Sequence, residues 1–309
     1  MKKSIILLLF LAFNIPFSAK PGNTGFMYRV QDEEKTGLER FFYSVVPGKT
    51  IELTVESENL EAIEIEFPRG EIVSKSSGKW ILKAPDTVGN YELTINDLST
   101  EKSAVITLFV LVPASQMKGE YLNGYRIGTY PAGKYKGSDK YKKPVGFIEV
   151  TDKNKDIYIT PHFQLKQFLC KQESGWPKYL VLNPKLLLKL EFLLNELHKE
   201  GINAKTLFIM SGYRTPYYNK LIGNVKYSRH VFGDAADIYV DEDQNGVIDD
   251  LNNDGKNNMS DAEVLYSIVE RLEKSPENSK LIGGMGKYKK NPAHTFFVHV
   301  DTRGYAARW

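Results

Sequence analysis

The chain holds five histidines, and two of them sit in runs whose residue types could do chemistry. The first run is Ser228-Arg229-His230-Val231-Phe232-Gly233-Asp234-Ala235-Ala236-Asp237. His230 and Asp237 are seven residues apart, which suits a loop carrying the imidazole and a strand carrying the carboxylate. The small residues Gly233 and Ala235 would let the backbone pass close to an ion. The second run is Phe297-Val298-His299-Val300-Asp301, where the alternation of a strand puts His299 and Asp301 on one side. Two imidazoles and a carboxylate brought together make an open three-ligand zinc site that keeps a fourth position for water. The chemistry would be metal-assisted hydrolysis. Taken alone, His230 reads as a hydrogen-bonded loop histidine and His299 as a satisfied core histidine. The pairing of the two runs is what points to a metal.

Two further segments carry polar chemistry. In Ser211-Gly212-Tyr213-Arg214-Thr215 the guanidinium of Arg214 follows a short apolar strand. It could stabilise an oxyanion or clamp a peptide carboxylate. After Asp237 comes an acidic insertion, residues 241–261. Asp241, Asp243, Asn245 and Asp249 stand at positions one, three, five and nine of an EF-hand-type loop, with Gly246 at six and Ile248 at eight. A second run places Asp250, Asn252, Asp254, Gly255, Asn258 and Asp261 at positions one, three, five, six, nine and twelve, which resembles a dockerin calcium loop. Position twelve is Asn252 in the first loop and Asp261 in the second, where the strongest loops have a bidentate Glu. Calcium is therefore expected as a second ion of modest affinity, pinning the insertion near Asp237. The plainer alternative is an acidic solvated loop.

Ser228, His230, Gly233, Ala235 and Asp237 fit every fixed position of S-x-H-x-x-G-x-A-x-D. Together with Ser211 to Thr215, Phe297 to Asp301 and the ending Thr302-Arg303-Gly304 with Trp309, this resembles the zinc D-Ala-D-Ala carboxypeptidase and murein endopeptidase family, which shares the hedgehog/D,D-peptidase fold. The resemblance covers residues from about 160 to 309. It implies His230, Asp237 and His299 as zinc ligands, a transition-state or carboxylate role for Arg214, and peptidoglycan peptides containing D-Ala as substrate. The chain departs from the family at the general base. Many members have a carboxylate three residues before the last histidine, or a histidine two before it. Here those positions are Phe296 and Phe297, and neither can move a proton. Asp301 and His294 remain as candidates, Asp301 with the alternative of orienting a ligand. The rival reading is a zinc-stabilised cell-wall or protein-binding module without turnover.

The elements that must position these residues fall into units. Lys2, Lys3 and the apolar run Ile5 to Phe13, followed by Ser18 and Ala19, read as a secretory signal over 1–19, hence a secreted, periplasmic or cell-envelope protein with no membrane span after cleavage. Residues 20–113 hold seven short β-branched and aromatic runs, beginning with Phe41 to Val46, separated by Gly- and Pro-containing turns. They predict an immunoglobulin-like β-sandwich, a binding or spacing module for a glycan or a protein. Residues 114–160 are a Gly/Tyr-rich connector that packs on the next domain. Residues 161–309 form the α+β zinc domain. There Asn183, Pro184 and Gly201 bound a leucine-faced helix, Leu207 to Met210 and Ala235 to Val240 are strands, and Ser260 with Glu263 forms a capping box. The formal net charge of +3 excludes an electrostatic case for nucleic acid. The sole cysteine, Cys170, excludes an internal disulfide and reads as a small buried hydrophobe.

Overall fold

The computed structural model describes residues 24–133, 135 and 141–309. The signal segment 1–19 and most of the Lys-rich stretch after residue 133 lie outside the described residues. Among the described residues, no helix is long and apolar enough to cross a membrane.

The alternation of the N-terminal part builds eight strands: β1 (Met27–Val30), β2 (Arg40–Val45), β3 (Thr50–Glu56), β4 (Ile63–Glu66), β5 (Glu71–Ser76), β6 (Lys79–Lys83), β7 (Gly89–Asp97) and β8 (Lys102–Val110). In β3 the even spacing buries Ile51, Leu53 and Val55 and leaves their neighbours wetter. Two four-stranded sheets result, in the orders β1-β3-β6-β5 and β2-β8-β7-β4. The pairs are antiparallel except β2 with β8, which run parallel. Strand β1 lies outside the seven runs read from the sequence.

Past β8, the strand β9 (Val112–Pro113) pairs with β12 (Gly146–Val150), which pairs in turn with β13 (Lys178–Leu180). Between β9 and β12 lies a small hairpin, β10 (Tyr121–Leu122) with β11 (Tyr125–Arg126). Leu122, Tyr125, Ile127 and Tyr130 of this connector are buried in one cluster with Phe147, Tyr179, Val231 and Phe232. The last two flank the His230 loop, so the connector is part of the wall behind the site.

The C-terminal unit has a five-stranded sheet in the order β14-β15-β17-β16-β18, from β14 (Phe208–Ser211), β15 (Ala235–Tyr239), β16 (Gly284–Tyr288), β17 (Phe297–Asp301) and β18 (Ala307–Arg308). Helix α1 (Pro184–Lys199) is capped by the Asn183 side chain accepting from the Lys185 N–H, with Pro184 in the first turn. Helix α2 (Pro216–Leu221) is short, and α3 (Met259–Lys274) packs on α1 and on the sheet. The capping box of α3 sits two residues earlier than Ser260 and Glu263: Asn258 caps, and the Asp261 carboxylate returns to the Asn258 N–H. The same three-residue spacing recurs there with an amide that reaches the first free N–H groups, leaving Ser260 inside the helix. Likewise β14 is less buried than its apolar run predicts, because Phe208 is exposed and stacks on Tyr239.

Helix α1 also holds buried charge. Glu191 is buried and accepts from the His162 backbone N–H at 3.1 Å and pairs with its Nδ1 at 2.7 Å. The hydrogen bond to Glu191 raises the His162 pKa from 6.5, against the opposing effect of burial. Stability from this pair is fully present below the unfolded value of about 6.5 and is lost as pH rises through the raised native value. His162→Asn is expected to lower the melting temperature more at about pH 5.5 than at about pH 8.5. Calorimetry at both values checks this, and equal losses would remove the ion pair as the cause.

Candidate metal centre

Three separate stretches of chain converge at one face of the C-terminal sheet. In β15 and β17 the antiparallel register sets Asp237 opposite His299 and Ala235 opposite Asp301. Ser211 of β14 lies on the other side of Asp237, and Gly286 of β16 on the other side of His299. His230 comes from a buried 3-10 turn, Arg229–Phe232, just before β15. Its end is fixed by Gly233, which adopts a left-handed φ of 73°. A Cβ there would stand 2.2 Å from the Val181 carbonyl, so this glycine serves the crossing of two backbones, not the approach to an ion.

Each ligand-type side chain has a second partner that fixes its outer atom. His230 Nδ1 faces the Gly212 carbonyl at 2.7 Å, which turns Nε2 inward. His299 Nε2 lies 3.3 Å from Asp301 Oδ2, which turns Nδ1 inward. Asp237 Oδ2 accepts from Arg214 Nη2 at 2.6 Å, leaving Oδ1 to face the imidazoles. The three inward atoms form a tight triangle. His230 Nε2 to His299 Nδ1 is 3.3 Å, His230 Nε2 to Asp237 Oδ1 is 3.2 Å, and His299 Nδ1 to Asp237 Oδ1 is 2.8 Å. A tetrahedral zinc with bonds of about 2.0–2.1 Å needs ligand atoms roughly 3.3 Å apart, so the donor set fits. His230, Asp237 and His299 are buried and together could hold a metal.

The electrostatics follow from burial. Burial lowers the His230 pKa, keeping that ring neutral as a ligand must be. Burial opposes ionisation of Asp237, but the adjacent imidazoles His230 and His299 outweigh it and hold the carboxyl well below the usual range. For His299, burial works against the charged ring, and the carboxylates of Asp237 and Asp301 more than reverse this, so its pKa is raised.

Asp301 sits on the far side of His299 from the ligand triangle, beside Nε2 and away from the inward Nδ1, which favours the orienting alternative over the proton shuttle. Its carboxylate also accepts from the Gly284 and Arg303 N–H groups at 2.7 and 3.0 Å, and from the Arg303 guanidinium. Burial alone would raise its pKa, yet His299 and Arg303 hold it far below the carboxylate range. A carboxylate so engaged is placed to orient the imidazole. His294 lines the same cleft, but both ring nitrogens have partners within its own turn: Nε2 with the Asn291 amide at 2.7 Å and Nδ1 with the Thr295 carbonyl at 2.8 Å. Phe297 lines the cleft and Phe296 is packed against the core, so neither replaces the missing base.

Sequence reasoning missed the aromatic cover of His299. The Trp309 ring lies 5.2 Å from the His299 ring, and its Nε1 donates to Tyr288 Oη at 2.6 Å. Gly286 makes room for it, since a Cβ there would meet Trp309 Nε1 at 2.3 Å. The signal was present as a glycine directly across from a histidine, but the register that pairs them is not written locally. Also missed was the tyrosine support behind the turn, where Tyr130 Oη bonds Tyr213 Oη at 2.9 Å and the Val231 carbonyl at 3.2 Å.

Residues 161–260 match the family model Peptidase M15. This part of the chain is similar to Peptidase M15 domains. The similarity supports a metallopeptidase of the zinc-dependent type, and the matched stretch includes His230 and Asp237, two of the three residues that could hold a metal. It stops before His299, which the sheet register brings to the other two. No curated protein matches the chain.

The acidic insertion has its own geometry. Asp241 accepts from the Asn245 and Gly246 N–H groups, and Asp250 accepts from those of Asp254 and Gly255, so the two loops repeat one frame. In the first loop, ligand atoms of Asp241, Asp243 and Asp249 lie within 4.8 Å of one another. In the second, Asn258 and Asp261 are engaged in the cap of α3, and Asp261 also holds the Leu251 N–H at 2.8 Å.

Removing the charge of the residue behind His299 isolates its role in the metal centre. Asp301→Asn is expected to weaken zinc binding by about 10–100-fold while the chain still folds. Competition titration with a chelating dye measures this, and an unchanged affinity would defeat the orienting role.

Proposed function

We propose that this protein is a secreted zinc metallopeptidase that hydrolyses peptide bonds of peptidoglycan stem peptides or crosslinks. The observation that carries the reading is the inward triangle of His230, Asp237 and His299 beside Arg214, on the wall of a 910 Å³ cleft. When bound, zinc supplies a Lewis acid for the scissile carbonyl and lowers the pKa of a water. The chain's own residues do the rest. Asp301 and the Gly212 carbonyl aim the two imidazoles. Arg214 holds Asp237 through Nη2 and Ser211 through Nε, and its remaining N–H groups are available to a developing oxyanion. The N-terminal charged and apolar run supports secretion to the periplasm, surface or medium. We assign residues 20–113 to an immunoglobulin-like sandwich that binds a glycan or a protein, 114–160 to a connector, and 161–309 to the catalytic unit.

One observation favours a second reading, a zinc-stabilised wall-binding module without turnover. Among the described residues lining the cleft, Asp237 is the sole carboxylate, and a ligand cannot serve as a free general base. The two readings part in one experiment. Intact sacculi are incubated with the zinc-loaded protein and with His230→Ala, with metal content measured alongside. Release of muropeptides by the wild type at least about tenfold above the variant supports the peptidase. One bound zinc with no release from any peptidoglycan type decides for the binding module.

We further propose calcium at the first insertion loop, with Asp241, Asp243, Asn245 and Asp249 as ligands. The converging carboxylates of Asp241, Asp243 and Asp249 support it. Bound at millimolar calcium, the loop is expected to raise the melting temperature by several degrees relative to chelator, an effect that Asp241→Ala abolishes. An identical melting curve in calcium and chelator would sink the assignment.

A further inference from the structure

A separate cavity lies where residues of the N-terminal part, the connector and the C-terminal part meet. Its volume is 310 Å³. That is at the small end of ligand pockets, which run from roughly 300 to 1,000 Å³. None of His230, Asp237, His299 or Arg214 lines it. Glu33 from the turn after β1, Lys142 of the connector, Lys185 of α1, Lys280 of the 3-10 turn Pro276–Leu281 and Thr302 after β17 do.

The lining carries both kinds of charge, and two of its oxygens lack a partner. Lys185 and Lys280 share a single carboxylate oxygen, Glu34 Oε1, at 3.7 and 3.2 Å. Asn183 and Lys185 also bring the start of α1, a helix of 16 residues, to the cavity, and with it the positive end of the helix dipole. A wall of this kind holds a carboxylate well. Glu33 is the opposite feature. Its Oε2 is buried and has no hydrogen-bond partner among the described residues. Burial pushes its carboxyl up from 4.5, and Lys185 offsets only part of that. Thr302 is 5% exposed, and its Oγ1 likewise has no partner. Arg229 and Asp234, which line the cavity too, pair with each other and leave both oxygens as they are. Buried oxygens in this state are destabilising unless something supplies a donor.

We infer that this cavity is a binding site for a small zwitterion of the α-amino-acid type, its carboxylate among Lys142, Lys185 and the start of α1, its ammonium on Glu33. An ammonium brings three donors, which is what Glu33 Oε2 and Thr302 Oγ1 lack. A plain anion would suit the lysines and be repelled by Glu33, and a plain cation would do the reverse. The site neighbours the metal centre. Thr302 follows Asp301, its N–H donates to the Asp234 carbonyl at 3.0 Å, and the Asp234 carboxylate holds Arg229 beside His230. The inference goes beyond the metallopeptidase reading and stands without it.

Titration calorimetry on the full zinc-loaded chain compares glycine with acetate, which lacks the ammonium, and methylamine, which lacks the carboxylate. Glycine is expected to bind at least about tenfold more tightly than either. Glu33→Gln is expected to bring glycine down to the level of acetate. Acetate binding itself stays within about threefold, which shows that the variant is folded. Lys185→Gln is expected to weaken glycine and acetate alike. Equal binding of the three probes would overturn the inference. So would glycine binding that both variants leave unchanged, which would place glycine elsewhere, as on the zinc. Inorganic phosphate binding more tightly than glycine would replace the inference with a plain anion site. No binding of any probe up to about 20 mM would reduce the cavity to a hydrated void. The comparison of probes on the unaltered chain decides the matter even where a variant does not fold.

Discussion

A buried carboxylate governs this molecule. Asp237 lies on a strand whose every residue is buried, in an environment where an isolated charge would be neutralised by uptake of a proton. It stays ionised because His230, His299 and Arg214 surround it. Those three come from a turn, a distant strand and a strand–helix junction, so the charge can be carried only by a correctly assembled sheet. The geometry that makes Asp237 tolerable is the same geometry that makes the group a metal site.

The same solution recurs around it. Asp301 is balanced by His299 and Arg303, and Asp234 by Arg229. The chain beneath is tied in by a further buried pair, Lys189 with Glu273, where Lys189 also donates to the Asp301 carbonyl at 2.8 Å. Breaking one member of such a pair leaves an uncompensated charge, which costs on the order of 3–5 kcal/mol. The site is therefore rigid for electrostatic reasons. A ligand set already aimed by its outer partners gives up little freedom on binding an ion.

This arrangement also explains the division of labour among arginines. A guanidinium that neutralises a structural aspartate on its fork edge cannot present the same edge to a substrate. The connector contributes by supporting the His230 turn from behind, through Tyr130 and the cluster containing Val231 and Phe232.

The amino-acid sequence by itself determined the local elements and the identity of the metal-site residues. The alternation of Thr50 to Glu56, the cap and leucine face of α1, and the seven-residue spacing of His230 and Asp237 are all local patterns, because strand and helix periods write themselves into neighbouring residues. The Peptidase M15 match spans His230 and Asp237. What only the tertiary structure decided is the direction in which each group faces. Asp301 and His294 are both proton-carrying residues close to His299 in sequence, yet one is locked behind the ring by Arg303 and the other is tied within its own turn. Gly286 lies across from His299 and beneath Trp309 through strand register, and Arg214 reaches Asp237 across the β14–β15 pair. These are relations between segments far apart in the chain. They arise from packing and charge balance, which leave no period in the sequence to read.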